Sequence, residues 1–252
     1  MKLRFLALWG VLLSAWWGGA VQAQGITLTV SVASSLADTL QPIARSFEAA
    51  HPGLQVRLNS GASGALLQQI AHGAPADVLA SADSDTVDSG VQRGLLQAAG
   101  RQDFASNRLV LVVPIGNTTF MRLNDLANPE VRRIAIGKVA TVPAGRYARQ
   151  ALDAARLWPA VQRKVVPADN VRQVLDYVAR AEVDAGFVYA TDAASQPMRV
   201  RTVALDADLS PVRYVVAVVQ GSPQAALAAA FIGHLRSAPA QAAFQAAGFG
   251  PP

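Results

Sequence analysis

The stretch Thr29-Val30-Ser31-Val32-Ala33-Ser34-Ser35-Leu36-Ala37-Asp38 decides how the rest of the chain is read. Its first half alternates and is rich in β-branched residues, the period of a strand, and it stops at two serines. From there Leu36, Leu40, Ile43 and Phe47 recur at helical spacing, which predicts a helix over 36–50. Ser35 falls where an N-cap belongs, with Asp38 three residues on as an imperfect capping box. The N–H groups of a first helical turn have no partner inside the helix and carry partial positive charge. A strand–serine–helix junction can therefore hold an anion without a cationic side chain. A serine there can equally do no more than cap its own helix.

Similar junctions recur along the chain. Asn59-Ser60-Gly61-Ala62-Ser63-Gly64 follows the apolar-alternating run 54–58 and opens a periodic stretch toward His72. Val142-Pro143-Ala144-Gly145 places a proline where a helix begins, and Asp169 and Asn170 are N-cap candidates ahead of Val171, Val174, Leu175 and Val178. Helix starts of this kind, pointed at one centre, would make an anion site.

Of the 252 residues, 52% are apolar and 15% charged, the balance of a well-cored globular chain. Lys2 and Arg4 precede an apolar run over 5–17 and the small residues of Val21-Gln22-Ala23, the pattern of a cleavable secretory leader over 1–23. An uncleaved anchor needs about 20 apolar residues, more than this run supplies. There is no cysteine, so neither disulfides nor a lipid-modified cysteine enter the reading. Removing Lys2 and Arg4 takes the formal charge from +5 to +3, and the remaining arginines are scattered rather than clustered, which argues against nucleic-acid binding.

Strand-like and helix-like segments alternate through 78–80, and a second β/α series starts at Leu109-Val110-Leu111-Val112-Val113. It continues through strands over 134–136, 164–166 and 185–189 and helices over 144–156 and 171–181. The run 214–219 repeats the apolar character of 109–113, and two helices, over 223–235 and 239–247, close the chain. The expectation is an α/β protein of two β/α lobes with mostly parallel sheets, joined by two crossover segments. The first lobe is expected from 24–105 and 212–252, the second from 106–211. Ligands of such open sheets bind outside the carboxyl ends of the strands, where the junctions lie.

The ordered set Ala33-Ser34-Ser35-Leu36, Gly73-Ala74-Pro75-Ala76-Asp77, Ser81-Ala82-Asp83, Asn107-Arg108-Leu109-Val110, Val142-Pro143-Ala144-Gly145-Arg146-Tyr147-Ala148, Val171-Arg172, Gly186-Phe187-Val188-Tyr189 and Gly248-Phe249 resembles the periplasmic molybdate-binding proteins of ABC transporters. The resemblance implies a type II periplasmic binding protein fold, a periplasmic location and no cofactor. It further implies a tetrahedral oxyanion ligand, molybdate or tungstate, held between the lobes. An inner-membrane permease with its ATPase would be the partner, and the protein is expected to act as a monomer. Carried over by position, the oxyanion contacts are Ser35 and Ser63 through hydroxyl and N–H, the backbone N–H groups of Ala144 and Val171, and the Tyr189 hydroxyl. These are hydrogen-bond donors, not direct metal ligands. Gly64 and Ala65 stand where hydroxyl residues are common in the family, and 137–141 lacks the family's usual acidic and proline residues.

Helix N-termini at roughly half a charge each approach the charge of a dianion. A donor-only cage also disfavours monohydrogen phosphate, whose O–H would be buried without an acceptor, while sulfate must be rejected by size. Three competing readings carry their own residues. Gly61-Ala62-Ser63-Gly64-Ala65 is a near miss to a hydrolase nucleophile elbow, which would need a base from His51, His72 or His234. Arg146 and Arg172 could serve a small organic anion. Asp83, Asp85 and Asp88 invite a calcium reading, but lack the loop spacing and terminal glutamate it requires.

Overall fold

The computed structural model describes residues 25–120, 122–203, 205 and 211–252, and the expected leader lies outside them. The first strand, β1 (Ile26–Ala33), pairs in parallel with β2 (Leu54–Gly61) on one side and β3 (Val78–Ser81) on the other; Val30 stands opposite both Leu58 and Val78. A strand flanked by parallel neighbours is covered on both faces, and Leu28, Val30 and Val32 are fully buried. Helices α1 (Ala37–Ala49) and α2 (Ser63–Ala71) make the crossovers, and α3 (Ser84–Gln92) follows β3.

The chain then forms β4 (Gln102–Asn107) and passes at Arg108 into β5 (Leu109–Pro114), the first strand of a second sheet. There β6 (Ile134–Gly137), α4 (Pro143–Ala154), a single turn α5 (Trp158–Val161), β7 (Val165–Ala168), α6 (Val171–Ala179) and β8 (Ala185–Tyr189) repeat the β/α order. A short α7 (Ala190–Ala194) and β9 (Val200–Val203) complete that half. The chain returns as β10 (Val212–Val218), followed by α8 (Ala225–Leu235) and α9 (Ala238–Ala246). The sheet orders are β2-β1-β3-β10-β4 and β7-β6-β8-β5-β9. Each contains one strand against the grain: β10 is antiparallel to β3 and β4, and β5 is antiparallel to β8 and β9. The other strands of each sheet share one direction, so both sheets are mostly parallel, as expected.

The return strand β10 has the alternation of a fully covered strand. Tyr214, Val216 and Val218 face the main core with α1, α8 and α9, while Val215 and Ala217 meet Leu66, Ile70 and Val87 from α2 and α3 on the other face.

Some local expectations are corrected. Ser35 is not an N-cap: it lies inside a 3₁₀ turn over Ser34–Leu36 that precedes α1, and its side chain makes no capping bond. The tighter turn carries the chain off β1 before the α-helix opens, which swings the Ser35 hydroxyl toward β10 and frees Asp38 to reach Arg172. At the other candidate cap, Asn170 bonds the Gln173 N–H at 3.0 Å while Asp169 pairs with Lys138.

Candidate functional site

The carboxyl ends of β1, β2, β6, β7 and β8 converge, and each delivers one of the residues picked out from the sequence. Ser35 follows β1, Ser63 opens α2 after β2, Ala144 lies in the first turn of α4 after β6, Val171 opens α6 after β7, and Tyr189 is the last residue of β8. All five line one cavity of about 190 Å³, with Ala33, Ser34, Gly61, Ala62, Ala82, Val142 and Pro143 completing the wall. The space is well short of a pocket for a drug-sized ligand and suits a small ion. No charged side chain among the described residues lines it.

Close packing sets the position of the helix ends. A β-carbon on Gly145 would lie 2.0 Å from the Gly137 carbonyl oxygen, so α4 rests its first turn directly on the end of β6 only because that position is glycine. Gly64 plays the same part across the cleft: its N–H donates to the Thr141 carbonyl at 3.0 Å, and a β-carbon there would sit 2.8 Å from that oxygen. A hydroxyl side chain at position 64 would therefore meet backbone rather than ligand.

The two serines are fully enclosed, at 2% and 0% exposure for Ser35 and Ser63. The Ser63 hydroxyl accepts the Ala82 N–H at 3.0 Å, which leaves its proton free for the cavity. The Ser35 hydroxyl is 2.9 Å from the Tyr214 hydroxyl, which in turn receives the Asn107 side-chain N–H at 3.3 Å. Tyr189 is 1% exposed and its hydroxyl has no hydrogen-bond partner among the described residues. Burial pushes the Tyr189 and Tyr214 phenols well above their usual range, so both stay protonated. An unpaired buried hydroxyl is costly, which marks Tyr189 as a group awaiting an acceptor.

Arg146 and Arg172, the candidates for an organic anion, are not in the wall. Arg146 on α4 pairs with Asp83 and donates to Thr86 Oγ1 at 2.9 Å, both across the cleft at the start of α3. Arg172 on α6 places Nη2 2.9 Å from Asp38 Oδ2 across the cleft and Nε 2.9 Å from Oδ1 of the fully buried Asp192, an ion pair out of line for a hydrogen bond. Burial pushes the Asp192 carboxyl up to about 6 against the opposing pull of Arg172, and its Oδ2 accepts the Tyr189 N–H at 3.1 Å.

The hydrolase arrangement does not assemble. His51 bonds the Phe47 carbonyl, His72 the Gln68 carbonyl and His234 the Ser46 hydroxyl, so none serves Ser63. Asp83 and Asp88 are taken up by Arg146 and Arg101, and no group of carboxylates or histidines fit for a metal ion is found among the described residues.

Sequence reasoning passed over Tyr214, Asn107 and Asp192. Tyr214 does carry a signal, a polar-tipped ring at the head of the aliphatic run 215–218 of β10, and Asn107 stands two residues before Leu109, where the buried run of β5 opens.

Comparison with known proteins places this geometry in context. Residues 28–250 match the family described as bacterial extracellular solute-binding protein. The chain is 34% identical over 238 residues to the molybdate-binding protein ModA of Escherichia coli (strain K12), covering 92% of this chain and 91% of that one. It is 33% identical over 211 residues to the protein of the same name from Haemophilus influenzae, covering 81% and 82%. The periplasmic molybdate-binding protein of Azotobacter vinelandii superposes with a TM-score of 0.75 at 26% identity, over 89% of this chain and 99% of that one. Two α/β lobes, a small neutral cavity at their strand ends and a match across nearly all described residues agree: the chain belongs to the bacterial extracellular solute-binding protein family.

Proposed function

We propose that the cavity captures a tetrahedral metal oxyanion, molybdate or tungstate, and that the protein delivers it to an ABC permease and its ATPase. In this reading the chain works as a periplasmic monomer, exported by a cleaved leader over 1–23. Its lobes, 24–105 with 212–252 and 106–211, close on the ion. The hydroxyls and N–H groups of Ser35 and Ser63, the N–H groups of Ala144 and Val171 and the Tyr189 hydroxyl donate to its oxygens, with no ligand to the metal itself.

The observation that carries the reading is the wall: hydroxyls and helix first turns surround a space without one charged side chain. A cation would find no carboxylate there, and an organic anion would find no guanidinium. A small anion finds donors only, each hydrogen bond to a charged acceptor contributing roughly 1.5–3 kcal/mol. Sulfate offers the same charge on shorter bonds, and a rigid cage sized for the larger ion leaves some donors out of its reach.

A thermal-shift panel with molybdate, tungstate, sulfate, phosphate and a small carboxylate tests this. A ligand at a hundred times its dissociation constant adds about 2.7 kcal/mol to stability. Molybdate and tungstate are expected to raise the melting temperature strongly; a larger rise with the carboxylate would replace the proposal with the organic-anion reading.

A further inference from the structure

The polarity of the hydrogen bonds behind Ser35 can be worked out atom by atom. Asn107 ends β4, where the chain crosses between the sheets, and is 4% exposed. Its Oδ1 accepts the Arg108 N–H at 2.8 Å. A backbone N–H can only donate, so the amide is fixed with its oxygen there and its Nδ2 on the opposite side. Nδ2 donates to Thr191 Oγ1 at 2.9 Å and to the Tyr214 hydroxyl oxygen at 3.3 Å. With Asn107 presenting only donors, the acceptor that remains for the Tyr214 proton is Ser35 Oγ, 2.9 Å away. Ser35 thus receives the Tyr214 proton, and its own proton is the one left to point into the cavity.

The geometry points to Tyr214 and Asn107 as specificity-determining residues that never touch the ligand: they orient the Ser35 hydroxyl as an obligate donor, so that the site refuses a protonated oxyanion. This rests on the oxyanion reading of the cavity. A free serine hydroxyl can turn to accept as readily as it donates, and would accommodate the P–O–H of monohydrogen phosphate at little cost. Held by the chain Arg108 N–H to Asn107, Asn107 to Tyr214 and Tyr214 to Ser35, it cannot turn its proton back toward Tyr214 without leaving the buried Tyr214 proton unpaired. Ser63 is held in the same sense by the Ala82 N–H. At these two serines a protonated anion therefore meets a proton rather than an acceptor, and that part of the discrimination is set by groups at the crossing between the lobes.

Two substitutions test this by different routes. Tyr214→Phe removes the donor and frees Ser35 to rotate. Asn107→Asp keeps the acceptor for the Arg108 N–H but presents an oxygen to Tyr214, which then donates to the carboxylate, accepts from Ser35 and turns a Ser35 lone pair into the cavity. The added charge repels molybdate and monohydrogen phosphate alike, since both are dianions, and so drops out of their ratio.

Calorimetric titration of the full mature protein and both variants with molybdate and with phosphate, at a pH where phosphate keeps one proton, gives the ratio of affinities. It is expected to fall by about tenfold or more in each variant. A ratio within about a factor of two of the parent in the variants that fold, both anions weakening together, would show a packing role and overturn the inference alone. Should Tyr214→Phe not fold, Asn107→Asp decides by the same criterion. A parent protein that binds neither anion would overturn the oxyanion reading and this inference with it.

Discussion

The N–H of Gly64 and the carbonyl of Thr141 meet at 3.0 Å across the cleft, and the glycine's missing β-carbon is what lets them. Any larger residue at position 64 strikes the Thr141 backbone, which has no flexible end to move aside. Gly64→Ala is expected to hold the lobes apart without disturbing either core. Affinity for the captured ion should drop about tenfold or more while the ligand-free melting temperature stays near the parent's. Small-angle scattering with and without ligand checks the cause, since the variant should fail to contract.

Removing either serine hydroxyl should cost both binding and stability. Ser35→Ala and Ser63→Ala are each expected to weaken anion binding by about 1–3 kcal/mol. Ser63→Ala strips the buried Ala82 N–H of its acceptor, and Ser35→Ala strips the buried Tyr214 hydroxyl of the acceptor for its proton, leaving it only the bond it receives from Asn107. Denaturant unfolding of the ligand-free proteins should show a loss for both variants, about 1–3 kcal/mol each.

Tyr189→Phe separates a binding role from a packing role. The ring stays, together with its edge contact to Tyr214 at 5.9 Å, and only a buried hydroxyl without a protein partner is lost. The ligand-free protein should be as stable as the parent or more so, while calorimetry should report weaker anion binding by about 1–3 kcal/mol. Loss of stability with unchanged affinity would assign Tyr189 to the core instead.

Arg146 reaches from α4 to Asp83 and Thr86, and so ties the two halves together from outside the cavity. Arg146→Ala is expected to speed ligand release, on the order of 1 kcal/mol in the dissociation barrier because the guanidinium is partly solvated. Stopped-flow dissociation should also show the parent rate approaching the variant rate as salt increases.

Asp192 gives the stability a dependence on pH with a definite sign. Its folded-state value is raised from 3.8 to about 6 by burial, so between about pH 4 and pH 6 the native state binds more protons than the unfolded chain. Its contribution is therefore full below that window and is lost as pH rises through it, on the order of 2–3 kcal/mol. Asp192→Asn should remove this slope. Chemical unfolding at several pH values checks it: the variant should gain on the parent as the pH increases from about 4 to about 6, and parallel curves would reject the assignment.

What the sequence disclosed and what it hid divide along physical lines. Strands β1, β5, β8 and β10 lie inside their sheets, are mostly buried and show as apolar or β-branched runs. The strands that escaped reading, β4 and β9, are both at sheet edges, where Gln102, Asp103 and Ser106 or Arg201 and Thr202 break the apolar pattern. Helix α3 was hidden for a related reason: Asp85, Asp88 and Ser89 dominate a short segment. The five residues expected at the site are local signals, four just after a strand and Tyr189 at the end of one, and the structure gathers them into one wall. Their supports are not local. Ser35 and Tyr214 are 179 positions apart and Arg146 and Asp83 63 apart, distances at which periodicity and capping rules carry no information.

The place of β10 has a consequence for the birth of the molecule. It sits between β3 and β4, so the first sheet stays split until the segment Val212–Val218 arrives, after the whole second sheet has been made. Pairings so distant in sequence close slowly. The opening half of the polypeptide thus stays incomplete and threadable for most of its synthesis, and its final assembly is triggered by a strand contributed by the last fifth of the chain.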